Sequence, residues 1–410
     1  MPGSVRVKGH AFCGPVARHL KIMDSGMKHL TQDDWNPASD EVLRDQRAAF
    51  DTLRERCPVA HSDFLGWSVF RHADVVRALH DPATFSSVVS SHVSVPNGMD
   101  PPEHTAYRRL IEPYFAPGRM AAFAPACRQI AAVHVASLLA HENIELMDAL
   151  AHPFAVQVQC EFLGWPAPMH EALRLWTRKN HQATLAGDRV AMASIAREFE
   201  GYVDDLLRSR HTPGAHPEHD IAASLRMQQV NGRPLRDDEI ASILRNWTVG
   251  EVGTIAASIG ILAHYLAEHT ALQQRLRAQP SLLPAAIEEI LRIHGPLVAN
   301  RRVATRAVEM GGRQIGAGDR VSLNWIAANR DPAVFSAPDE FRLDRDPAAN
   351  LLYGAGIHVC PGAPLARMEL IVVMEELLAQ TEMISLPDGK LPALAVYPSS
   401  GFESLSLQVR

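Results

Sequence analysis

Tyr353-Gly-Ala-Gly-Ile-His-Val-Cys360-Pro-Gly362 runs directly into a helical, apolar stretch, Ala363-Pro-Leu-Ala-Arg-Met-Glu-Leu-Ile-Val-Val-Met374. The decapeptide sets one cysteine in a turn that two glycines allow to kink, just ahead of a helix. Unpaired N–H groups at a helix N-terminus create a positive field, and such a field favours a thiolate. Gly354 and Gly356 can take φ > 0 and carry no Cβ, so a flat ligand can lie against the backbone. A thiolate held this way suits the axial position on a haem iron, where it pushes electron density toward bound oxygen and favours O–O cleavage. Two plainer readings compete: a simply buried cysteine, or half of a zinc site in His-x-Cys. No Cys-x-x-Cys occurs, and the other closely spaced pair, His10 and Cys13, lies in a Gly/Pro-bearing N-terminal stretch.

The segment resembles the haem-binding loop of the cytochrome P450 family, F-G-x-G-x-H-x-C-x-G. It departs only at Tyr353, which keeps the aromatic ring and adds a hydroxyl that needs a partner if buried. The resemblance implies haem b (iron protoporphyrin IX) bound through Cys360 as the metal ligand, with Tyr353, Gly354 and Gly356 lying against it. It covers nearly everything beyond residue 35. It implies a mainly α fold with small β-sheets at the periphery, organised as a flexible segment 1–35 and one haem domain 36–410.

Glu289-Ile-Leu-Arg292 is a weak signal alone, because acid–base pairs three apart on a helix are usually solvated. Downstream, however, Pro338-Asp-Glu-Phe-Arg-Leu-Asp-Arg345 matches the family's meander. The resemblance implies a buried network of Glu289, Arg292 and Arg345 supporting the cysteine loop. Arg345 is favoured over Arg342 because it stands four residues after Phe341. For the haem propionates it implies His104 and Arg108, which share one helix face, together with Arg302 and His358. A solvated basic face is the plainer reading of Arg108 or Arg302 taken singly.

The family's long central helix carries A-G-x-D/E-T, whose acid and threonine help deliver protons to dioxygen. Here the corresponding run is Val249-Gly-Glu-Val-Gly-Thr254, with Gly253 at the acid's place and Glu251 at the glycine's. Thr254 can back-bond its hydroxyl to a carbonyl and open the helix locally, and Gly253 eases that opening. Water or Glu251 then replaces the missing acid; alternatively, Glu251 is a salt-bridging residue. This altered motif resembles a bacterial subgroup in which the haem domain is fused to an FMN/2Fe-2S reductase fed by NAD(P)H. A separate ferredoxin docking near Cys360 is the other electron source. The chain shows neither a dinucleotide fingerprint opening a helix nor a ferredoxin cysteine set.

Composition agrees with a globular protein of 410 residues, 47% hydrophobic and 21% charged. A net charge of −6 argues against broad nucleic-acid or anionic-membrane binding. The run Val249–Glu268 reads as a core helix and not a membrane span, and no signal peptide is evident. Five scattered cysteines suit a reducing cytoplasm. Helical periodicity is expected over Asp40–Cys57, His104–Tyr114, Gly118–Leu139, Ala167–Lys179, Val190–Arg210, Asp237–Ala267, Ala271–Ala278, Leu282–Ile293 and Ala363–Thr381. Strands are expected at Gly66–Arg71, Val303–Met310, Arg320–Leu323 and Leu405–Val409, with a Pro/Gly/His loop at Thr212–His219.

In relatives the pocket is lined by segments that carry Val88, Val89, Val93, Val95, Trp247, Leu297, Val298 and Phe402 here. Their apolar character favours a small hydrophobic substrate. The expected activity is NAD(P)H- and O2-driven monooxygenation, giving hydroxylation or O-dealkylation. A peroxide-driven peroxygenase and a non-catalytic haem-binding sensor are the alternatives.

Overall fold

The computed structural model describes residues 34–90, 92–186, 188–209, 220–397 and 399–410. The expected flexible segment, His10 and Cys13 included, lies outside these residues up to position 33, as does the expected loop Thr212–His219. Asp34 and Trp35, expected to be flexible, are instead tied down. Asp34 accepts from the His61 N–H at 2.8 Å, and Trp35 packs edge-on against Phe50 and Phe70.

The architecture is mainly helical and is built around one long helix, Asp237–Glu268. Three acids in its first turn suit the positive end of the helix dipole. The Glu239 side chain also accepts from the Arg236 N–H at 2.9 Å, closing a capping box. By length and composition this helix could cross a membrane, but 61% of its most apolar window is buried inside the protein. Helices Pro117–Leu138, His152–Leu163, Leu283–His294 and Ala363–Gln380 share its apolar core. The last of these follows the cysteine loop.

A five-stranded sheet stands at one side, ordered Val59–Ser62, Gly66–Val69, Arg320–Asn324, Ala299–Ala304, Phe85–Ser86. Only the Gly66–Val69/Arg320–Asn324 pairing is parallel. Trp67, Val69, Phe85, Val321 and Leu323 bury a second core against helix His72–His80.

Several expected elements differ. Asp40–Cys57 breaks at Asp45, whose side chain caps the second helix by accepting from the Ala48 N–H at 3.1 Å. The expected strand Val303–Met310 ends at Ala304. There Thr305 turns to bond the Thr84 carbonyl at 2.9 Å and the Ala83 carbonyl at 2.6 Å, and a separate hairpin begins at Val308. Helix His152–Leu163 is buried on most sides and so lacks the polar face that a periodic signal needs.

The cysteine loop rests on a charged clamp. Glu289 Oε2 accepts from Arg292 Nε at 2.8 Å, and Glu289 Oε1 accepts from Arg345 Nε at 2.8 Å. Arg292 also donates to the carbonyls of Asn329 at 2.7 Å and Pro338 at 2.8 Å, and Arg345 to those of Ser336 and Ala337. The Asn329 side chain in turn accepts from the Leu351 N–H at 2.7 Å, two residues before Tyr353. Arg342 instead pairs with exposed Asp344.

Two outcomes are expected from these contacts. Glu289→Gln leaves two guanidinium groups without their charge partner in a buried setting and lowers unfolding free energy by about 3–5 kcal/mol, measured by urea denaturation. Burial pushes the Glu239 carboxyl up, but Arg233, the Tyr107 hydroxyl and the Arg236 N–H outweigh it and hold the group down at about 2. Its stabilising contribution is therefore complete above the ordinary carboxylate range and lost as pH falls toward that value. Glu239→Gln should flatten the acid limb of thermal stability over this window.

Candidate active site

Cys360 is accessible, whereas Cys57, Cys127 and Cys160 are buried. Its N–H donates to the Tyr353 carbonyl at 2.8 Å, closing the loop on itself. Desolvation by the surrounding protein pushes the thiol up, against the pull of the Gly362 and Ala363 N–H groups and the charges of Arg108 and Arg367. A bound metal cation would add to that pull and favour the thiolate. Among the described residues no group of three or more His, Cys, Asp or Glu could hold a metal ion, which leaves His358-x-Cys360 without the further ligands of a zinc site.

The two glycines do different work. Both have positive φ, +71° at Gly354 and +67° at Gly356. A Cβ on Gly356 would collide with the Leu79 carbonyl oxygen, so this glycine is required by the protein's own backbone as well as by any flat ligand. At Gly354 the nearest atoms are the His358 carbonyl at 3.9 Å and the Trp325 ring at 4.0 Å. The Tyr353 hydroxyl is buried without a hydrogen-bond partner, and the Arg367 guanidinium sits 4.3 Å above its ring.

Helix Glu103–Ile111 and the cysteine loop bring His104 and His358 together, ring centroids 4.3 Å apart. Burial holds both imidazoles toward the neutral form, His358 down at about 3. The Nε2 atoms of both are buried and unpartnered. Arg302 is also buried, and it donates to the Arg301 carbonyl with no carboxylate in ion-pair range among the described residues. Arg108 pairs through Nε with Glu112 at 2.9 Å. Orphaned donors beside His358 and a buried guanidinium that feels Asp100 only at longer range fit an anionic edge such as the haem propionates.

On the central helix, Val249, Gly250 and Gly253 are exposed, and Glu251 and Thr254 half-buried, in the middle of a mostly buried element. This accessible strip is the distal candidate. Thr254 Oγ1 donates to the Gly250 carbonyl at 2.8 Å and contacts that of Glu251 at 3.1 Å. The back-bond is present, yet the helix continues through Gly253 without opening. Glu251 has no cationic partner among the described residues, contrary to the salt-bridge alternative. Its neighbours are Glu369 from helix Ala363–Gln380 and Gln159 from helix His152–Leu163.

The expected pocket residues do not all converge. Val93 is exposed, Leu297 bridges to Ser399, and the Phe402 ring lies 4.6 Å from that of His264. Trp247 sits in an aromatic group with Phe115 at 5.1 Å and Tyr114 at 5.6 Å. Val95 and Val298 are both enclosed, Val95 in the helical core and Val298 in the cluster with Phe50 and Phe70. Sequence reasoning missed Glu369 and Gln159. Their signal is slight: one acid in the apolar run Leu365–Met374, and one amide in His152–Leu163.

Residues 170–395 match the family described as Cytochrome P450. The chain is 32% identical to the cyclomarin C epoxidase CymV of Salinispora arenicola over 352 residues, 82% of this chain and 88% of that protein. It is 33% identical to the erythromycin C-12 hydroxylase of Saccharopolyspora erythraea, covering 83% of this chain and 89% of that one. Its structure resembles that of CYP109E1 from Bacillus megaterium in complex with testosterone, with a TM-score of 0.79, 26% identity and coverage of 89% and 99%. With the cysteine loop, its charged clamp and this degree of likeness together, the chain belongs to the cytochrome P450 family of haem-containing monooxygenases.

Proposed function

We propose that this monooxygenase hydroxylates, or O-dealkylates, small hydrophobic molecules, taking electrons from NAD(P)H through an FMN/2Fe-2S reductase or a separate ferredoxin in the cytoplasm. The observation that carries the reading is an accessible Cys360 close enough to the strip of the central helix ending at Thr254 to act on the charge of Glu251. Exposed Val88, Val89 and Val93 precede helix Glu103–Ile111 and supply apolar surface without charge. Relatives named for cyclomarin C and erythromycin, and a structural neighbour solved in complex with testosterone, support hydrophobic substrates and leave the size open toward larger ones. The altered helix motif supports the reductase type, and the scattered cysteines support the compartment.

Bound between these elements, haem would supply the activation of dioxygen and the insertion of one oxygen atom into a C–H bond. Cys360 would hold the metal, and His104, Arg108, Arg302 and His358 the acidic edge. The neutral imidazoles can donate hydrogen bonds there without adding charge to a buried site. Thr254 directs its own proton to the Gly250 carbonyl, so its oxygen lone pairs are free to accept another. Glu251, one helical turn earlier, is the group that can provide it, since Gly253 offers no acid.

Two measurements test this assignment. Cys360→Ser should abolish the far red-displaced absorption of the reduced carbon monoxide adduct; retention of that band removes Cys360 from the metal. Thr254→Ala should lower product per NAD(P)H by about 10²-fold while cofactor oxidation continues and peroxide accumulates. Product formation by the wild type with peroxide alone, and none with reductase and NAD(P)H, would instead favour the peroxygenase reading.

A further inference from the structure

Glu369 is fully buried on the helix that follows the cysteine loop, and neither carboxylate oxygen has a conventional donor among the described residues. Its polar neighbour is the Glu251 carboxyl, within hydrogen-bond reach from the central helix. Two ionised carboxylates are acceptors only, so a hydrogen bond between them requires a proton. On its other flank Glu251 meets Gln159, 1% exposed. With its amide nitrogen turned toward the acid, Gln159 donates to Glu251 Oε1 at 2.8 Å and also to Oε2.

Among the described residues no cation lies in ion-pair range of either acid. Cys127 reaches the pair from helix Pro117–Leu138, Cys160 from helix His152–Leu163, and Cys360 from the loop, all thiols without positive charge. Arg128 on helix Pro117–Leu138 is committed to Glu375 and Glu376, and Arg367, two residues before Glu369, to Glu288. Like charges in contact and out of water cannot both persist.

We propose that Glu251 and Glu369 share a single proton beneath the distal strip, with Gln159 clamping Glu251 and Glu369 acting as the positioning residue that keeps Glu251 charged with that proton. Glu369 is sealed from solvent, whereas Glu251 is half-buried beside Thr254, so the pair has one open end, on the side where the reaction would occur. Burial pushes both groups up, Glu251 further because Glu369 repels its ionised form. The catalytic use of the proton rests on the monooxygenase reading above; its presence does not.

Infrared difference spectroscopy of the haem-loaded protein decides the matter. The wild type should show a protonated-carboxyl C=O band at neutral pH that moves in D2O, and Glu369→Gln should remove it by leaving Glu251 ionised among amide donors. The folded state carries an extra proton, so thermal stability should fall as pH rises above the ordinary carboxylate range, and Glu369→Gln should flatten that decline. Product per NAD(P)H in this variant should drop by about tenfold. Absence of the band in the wild type overturns the proposal even if the variant does not fold, as does a band that survives Glu369→Gln. If the band behaves as expected while the wild type forms no product with reductase, the shared proton stands and the monooxygenase reading fails.

Discussion

Glu289 accepts from two guanidinium groups at once, and through them it holds the carbonyls of a chain segment that has no regular secondary structure of its own. Arg292 and Arg345 together satisfy the carbonyls of Asn329, Pro338, Ser336 and Ala337, groups that no sheet or helix ladder serves. This carboxylate thus helps to order the stretch from Asn329 to Arg345, together with the Arg330–Asp51 pair and the Asp331 contact with the His72 N–H, and Cys360 inherits its place from that order. Charges buried this way are costly unless every partner is present, which makes the clamp a specifier of one loop conformation as much as a source of stability.

The electrostatics divide the site into two halves. Near Glu103–Ile111 and the cysteine loop, buried imidazoles are held toward the neutral form and a buried arginine has no carboxylate in ion-pair range among the described residues, an arrangement suited to an anion. Toward the central helix the polarity reverses: two acids and an amide lie among thiols and apolar side chains, with no cation in ion-pair range among the described residues. A thiol that the protein alone pushes toward its neutral form stands between the two halves.

Much of this was legible in the sequence because the informative residues are close together along the chain. The decapeptide ending at Gly362, the Glu289/Arg292 spacing and the His104/Arg108 spacing each lie within one or two turns, where geometry follows from number alone. Arg345 required a long-range match, which the meander provided. What could not be read were contacts between distant helices. Glu251 meets Glu369 and Gln159 only after three helices pack, and Gly356 meets Leu79 only after the loop docks. The pocket side of Val95 and Val298 is illegible for a related reason: an apolar residue near a pocket in sequence can point either into it or into the core behind it, and alternation is too short in those segments to decide. The unsignalled helix His152–Leu163 shows the same limit, since uniform burial erases periodicity.

The contact between Gly356 and the Leu79 carbonyl joins backbone to backbone, near the end of helix His72–His80 where carbonyls lack intrahelical partners. Side-chain identity at position 79 is therefore free to drift within what the sheet-side core tolerates, while the glycine opposite it is not. Mutational tolerance across this seam should be lopsided, and any insertion that lengthens or shortens the helix by a residue would be transmitted straight to the metal-binding turn.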